Sequence, residues 1–279
     1  MHPRFVFWLF IALLAQALIA CATAPLQSKS IVERPPNVAS SHVIKAVPFI
    51  EQQTAQCGPT TLAMVLDYYG QKSDMEILTS QILTESKNGS LQSNMIGGAR
   101  RQGMMAMTLS GFSDLLKEVD AGHPVIVFEN LALSWWPQWH YAVVYGYDLD
   151  RQLVYLHSGK DQSISLSFAR FEADWRLSNY WGLVVLPPQT LSASADELSH
   201  MNSAAVLESL AKPEAEKAYS AILSRWPQSL GAHLGLANIY FSQADYKKSV
   251  QILKRARAFH PDSQTLNHNY SVAVKKLNE

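Results

Sequence analysis

Two hydrophobic periods run through residues 45 to 187. From 57 to 69, Leu62, Met64, Val65, Leu66 and Tyr69 fall at near-helical spacing, and the run predicts a helix opening at Cys57. "DMEILTSQIL" from Asp74 predicts a second, with Ser73 as N-cap and Glu76 three residues on. "SLQSNMIGGARRQG" and "GFSDLLKEVDAG" predict two more, each closed by a glycine. The pattern then shifts to β-branched and aromatic runs between turn residues: "MMAMTLS", "HPVIVFEN", "HYAVVYGYD", "QLVYLHS" and "WGLVVLP". Helices first and a mostly antiparallel sheet after them make an α+β domain.

Beyond Pro187-Pro188 the pattern changes again. "QTLSASADELSHMN" reads as a polar linker over 188–202, and 203–279 is helical with a repeat. Pro227 and Pro261 are 34 residues apart, as are Tyr219 and Leu253, Ala215 and Ser249, and Val206 and Tyr240. That period, with small residues where helices cross and a proline ending the unit, resembles the tetratricopeptide repeat and implies a protein partner. The linker predicts a separable module.

The first residues are of a different kind. In "MHPRFVFWLFIALLAQALIAC", Arg4 precedes an apolar stretch from Phe5 to Ala20, the layout of a secretory signal over residues 1–20. Sixteen residues at about 1.5 Å each fall short of a hydrocarbon core of roughly 30 Å, which disfavours the alternative of a membrane anchor. Leu18-Ile19-Ala20-Cys21 resembles a bacterial lipobox. The resemblance implies cleavage before Cys21, a diacylglycerol on its sulfur and, with Ala22 rather than Asp following, an outer-membrane lipoprotein facing the periplasm. Residues 21–44, rich in Ser, Ala and Pro, read as a lipidated flexible tether.

Composition narrows the function classes. The 279 residues carry zero formal net charge, so no basic surplus exists to neutralise phosphates, and nucleic acid is not the expected partner. The sequence suggests no cofactor and no metal. Of two cysteines, Cys57 stands directly before Gly58-Pro59 at a helix start. There the helix dipole and free N–H groups favour a thiolate, although a buried thiol is the commoner occupant of such a place. His140 opens a strand after the aromatic loop of Trp135, Trp136 and Trp139, which either shapes a cleft or packs a sheet edge. His123, in "AGHPV", reads as a turn residue.

Together, "VPFIEQQTAQCGPTTLAMVLDYYG" at 47–70, "AGHPVIVF" at 121–128 and "WHYAVVYGYD" at 139–148 resemble the C39 group of papain-like cysteine peptidases. The resemblance spans residues 45–187 and implies a papain-like peptidase domain acting on a peptide or protein substrate. It implies Cys57 as nucleophile, His140 as base, and a glutamine upstream of the cysteine as oxyanion donor. Gln52 fits that place best, with Gln53 second and Gln56 close to the helix. The family's orienting Asp-Pro, about seventeen residues after the histidine, is replaced here by His157-Ser158. If strands 140–147 and 152–157 pair around "DLDR", His157 lies opposite His140, while Asp148 and Asp150 sit roughly 25 Å away at the turn. Residue 157, with Ser158 beside it, is therefore the expected weak substitute, and Asp161 the alternative. The expectation is a lipid-anchored cysteine peptidase with a repeat module. Two alternatives stand beside it: a catalytically silent peptide-binding or scaffolding lipoprotein, and an acyl- or amide-transfer enzyme.

Overall fold

The computed structural model describes residues 26 to 279 apart from Thr54; residues 1–20, read from the sequence as a secretory signal, and Cys21 lie outside the described residues. Seven antiparallel strands form the main sheet: β1 (Ser41–Val43), β4 (Met105–Leu109), β5 (Val125–Asn130), β6 (Trp139–Asp148), β7 (Leu153–Ser158), β8 (Asp161–Ser167) and β9 (Gly182–Leu186). Their order is β4-β9-β5-β6-β7-β8, with β1 also pairing β6. A two-stranded ribbon, β2 (Leu83–Thr84) and β3 (Gly89–Ser90), stands apart. Helices α2 (Cys57–Tyr68), α3 (Met75–Ile82), α4 (Gln92–Arg101), α5 (Phe112–Asp120) and α6 (Phe168–Trp175) cover the sheet, with α2 against β6 and α6 against β5.

The helices and five strand runs read from the sequence are present. The cap of α3 differs: Asp74, not Ser73, accepts from the N–H groups of Glu76 and Ile77, because a carboxylate matches the helix's positive end. Strand β8 and helix α6 escaped the sequence reading. In β8 polar side chains face solvent and only Ile164 and Leu166 turn inward, a weak signal. The segment read as a flexible tether is in part folded. Helix α1 (Gln27–Glu33) buries Ile31, its first N–H groups are received by the Glu172 carboxylate, and β1 adds to the sheet through β6.

A bulge between Val144 and Gly146 breaks the β6–β7 register. A side chain at Gly146 would meet the His42 carbonyl at 3.1 Å and the Tyr155 ring at 3.0 Å, so this position takes glycine.

The C-terminal helices are α7 (Glu197–Leu210), α8 (Lys212–Arg225), α9 (Leu230–Ser242), α10 (Tyr246–Arg257) and α11 (Gln264–Asn278). The repeat positions do what their spacing predicts: Ala215, Tyr219, Ser249 and Leu253 are buried. The linker is not a loose connection, however. Helix α7 begins inside it and packs beside β4, the sheet's edge strand, where Ser203 Oγ accepts from the Ala106 N–H at 2.9 Å. One continuous core runs from the sheet through Leu207, Ala215, Ile222 and Leu236. The expected separable module is therefore joined to the sheet domain, because an edge strand leaves N–H groups that something must cover.

Candidate active site

Cys57 is the first residue of α2 and packs, half-buried, against the core. The helix's first backbone bond runs from Thr60 N–H to the Gln56 carbonyl, which leaves the N–H groups of Cys57 and Gly58 outside that ladder, as at any helix start. A Cβ at Gly58 would overlap the Ser90 side chain, so the residue after the thiol must be the smallest one. Two residues earlier Ala55 holds φ at +65°, a left-handed conformation that costs a non-glycine residue of order 1 kcal/mol.

The sequence placed four residues in one site, and the fold brings three of them, Cys57, His140 and Gln52, but not His157, to one cleft. Cys57, Gln52 and His140 line a cavity of about 1140 Å³, with Tyr141, Trp139 and Ser90 also in its walls. Gln52 is buried, and its Nε2 donates to the Tyr141 carbonyl at 3.3 Å, which anchors the amide beside the strand that carries His140. Gln53 also lines the cleft. Trp139 stacks on Phe128 with ring centroids 5.0 Å apart, whereas Trp135 and Trp136 are 75% and 73% exposed and face solvent. The aromatic loop thus contributes one ring to the cleft wall.

His140 Nε2 lies 3.0 Å from Ser158 Oγ. No hydrogen bond joins His140 to Cys57 among the described residues, so Nδ1 is the ring nitrogen left for other work. The structure corrects the expectation for His157. The bulge and turn set Val143 opposite His157 and Ala142 opposite Ser158. Side chains alternate along a strand, so Ser158 shares the face of Ala142 and His140 while His157 points to the other face. There His157 is buried, its Nε2 is 3.2 Å from the Val47 carbonyl, its Nδ1 bonds the Gln162 carbonyl, and its ring stacks on Tyr145 at 4.4 Å. It holds the chain together and does not touch His140. Asp161 pairs with Ser158 across the β7–β8 turn, is exposed, and makes no bond to His140. His123, read as a turn residue, is buried and bonds Glu118 through Nδ1 at 2.7 Å.

The electrostatics of the site favour neutral groups. Burial pushes the Cys57 thiol up, against the backbone N–H groups of Tyr141, Gly58 and Cys57, which pull it down. Burial lowers the His140 imidazole to about 4. A neutral Ser158 supplies no charge to reverse either shift. Sequence reasoning also missed Glu129, which the β5–β6 register sets directly opposite His140.

Residues 44–182 match the family model described as Peptidase_C39 like. Over these residues the chain is similar to this C39-like family. Residues 213–266 match a tetratricopeptide repeat model. Three solved structures resemble the C39-like domain. A double glycine motif protease from an AMS/PCAT transporter, solved with its leader peptide, is 22% identical, covering 52% of this chain and 94% of its own at a TM-score of 0.41. The peptidase domain of Streptococcus ComA, a bi-functional ABC transporter in a quorum-sensing pathway, is 20% identical over 50% and 98%, with a TM-score of 0.42. A C39-like peptidase from Bacillus anthracis is 20% identical over 52% and 97%, with a TM-score of 0.44. No curated protein sequence matches the chain.

Proposed function

We propose that the chain is a cysteine peptidase, anchored by lipid on Cys21 to the bacterial cell envelope. The observation that carries the catalytic part is the convergence of Cys57, His140 and Gln52 on one cleft, with His140 Nε2 engaged by Ser158. With Ser158 Oγ accepting from Nε2–H, Nδ1 is the unprotonated nitrogen and takes the thiol proton as Cys57 Sγ attacks the peptide carbonyl. The new S–C bond places the carbonyl electron pair on oxygen, where the Gln52 amide and the Cys57 N–H stabilise it. Collapse expels the amine with the His140 proton, and water resolves the acyl-enzyme. The helical repeats bind a protein partner, and the lipid holds the chain at the outer membrane facing the periplasm.

The test is labelling with a thiol-reactive peptide probe. Label on Cys57 that falls by an order of magnitude or more in His140→Ala, with peptide hydrolysis lost in Cys57→Ala, supports the reading. Labelling indifferent to His140 refutes it. Products formed with an added amine would assign transfer instead of hydrolysis. Intact mass of the envelope fraction tests the anchor, and retention of residues 1–20 refutes it. A second reading, a silent peptide-binding scaffold, is favoured by the neutral resting state of Cys57 and His140. It predicts peptide binding without a covalent adduct.

A further inference from the structure

Glu129 stands one strand from the base and has no evident structural reason to be there. Its pairing with His140 in the β5–β6 ladder puts both side chains on one face of the sheet, with Cβ atoms about 5 Å apart. It is 1% exposed, and its Oε1 has no hydrogen-bond partner among the described residues. A buried carboxyl oxygen without a partner costs stability that an apolar residue would not. The same face places a neutral hydroxyl, Ser158, where a stronger acceptor would best support a histidine that must become positively charged.

We propose that Glu129 is the acidic partner that supports His140 across the β5–β6 ladder: once ionised, its carboxylate charge-balances the imidazolium that forms when Cys57 attacks. This rests on the reading of His140 as the base. The other charged groups near Glu129 are Asp174 and Arg170 of α6, which bridge each other at 3.0 Å; Arg170 is largely exposed. Burial first and Asp174 second raise the Glu129 carboxyl to about 8, against the pull of Arg170. At neutral pH most molecules therefore carry an uncharged Glu129 and a weakly supported His140. Reactivity rises as Glu129 ionises. Asp161, which pairs with Ser158 across the β7–β8 turn, is exposed.

The experiment measures the rate of Cys57 alkylation by a neutral iodoacetamide against pH, on the full chain. The expected result in the native protein is a step in rate centred near pH 8, below the further rise from the thiol's own ionisation, which burial moves up. Glu129→Gln loses that step by a factor of five or more, Glu129→Asp keeps part of it, and Asp161→Asn leaves it unchanged. Ser158→Asp introduced beside Glu129→Gln restores the rate at neutral pH, because it supplies the missing carboxylate by the other route. A Glu129→Gln profile that superimposes on the native one, in a protein whose labelling still needs His140, overturns the role of Glu129 alone. Loss of the step in Asp161→Asn rather than Glu129→Gln overturns it as well. Labelling indifferent to His140 in every variant overturns both this proposal and the peptidase reading.

Discussion

Glu118 and Glu129 are both buried, and their surroundings treat them in opposite ways. Glu118, on α5, is fully buried, and four groups meet its carboxylate: His123 Nδ1 at 2.7 Å, the Ser194 N–H at 2.7 Å, Ser194 Oγ at 2.6 Å and Ser192 Oγ. Arg225 of α8 donates to the Ser192 carbonyl at 2.6 Å, so the network ties the sheet domain to the repeats. Glu129, on β5, has an oxygen with no hydrogen-bond partner among the described residues. Burial pushes both carboxyls up, but the hydrogen bonds from His123, Ser192 and Ser194 outweigh it at Glu118 and hold that group below the ordinary carboxylate range. At Glu129 nothing outweighs it, and the group rises to about 8. Burial alone therefore decides neither charge nor role. A satisfied buried acid joins parts of a fold, while an unsatisfied one is a cost that needs another explanation.

The largest effect is expected from removing Glu118. Glu118→Ala leaves His123, two hydroxyls and an N–H without their acceptor and is expected to lower unfolding free energy by about 3–5 kcal/mol in urea titration. Because its native pKa is depressed, the stability Glu118 contributes is present above about pH 4.5 and is lost as pH falls through the native value. A native protein whose stability does not drop on acidification below about pH 4.5 would contradict this account.

The mirror experiment has the opposite sign. Glu129 binds its proton more tightly in the native state, so its cost to stability grows as pH rises from about 4.5 toward about 8. Glu129→Gln is expected to raise stability by about 3–4 kcal/mol near pH 7 and to change little near pH 4, at 1.36 kcal/mol per pH unit. A stabilised but slower protein would mark the residue as functional; a destabilised one would show that the carboxyl has a partner.

Truncation sharpens the same contrast. A chain ending at Pro188 removes Ser192 and Ser194 from Glu118 and Ser203 from the β4 edge, and is expected to lose about 1–3 kcal/mol. A chain ending after Ala211 keeps these bonds and should retain more of that stability. Equal stability of the two would show that the junction contributes nothing. The smallest effect concerns the site itself. Ser158→Asp is expected to speed Cys57 alkylation near neutral pH about tenfold, or about 1.4 kcal/mol, while His157→Ala lowers stability and leaves the alkylation pH profile unmoved.

Much of this protein was legible in its sequence for local reasons. The helix at Cys57 follows from apolar spacing and a Gly-Pro start, the strand at His140 from a β-branched and aromatic run, and the repeats from a 34-residue period. Each depends on neighbours a few residues away or on self-similarity, which a chain carries wherever it folds. The tertiary structure alone decided which residue touches His140. The choice of Ser158 over His157 turns on the β6–β7 register and on a bulge at Tyr145, and a one-residue slip exchanges the faces of a strand. The nearness of Glu129 to the base, and the closing of Glu118 by residues 74 and 76 positions later, are long-range pairings. Side-chain type announces neither, because partners fixed by sheet register and helix packing leave no trace in local composition.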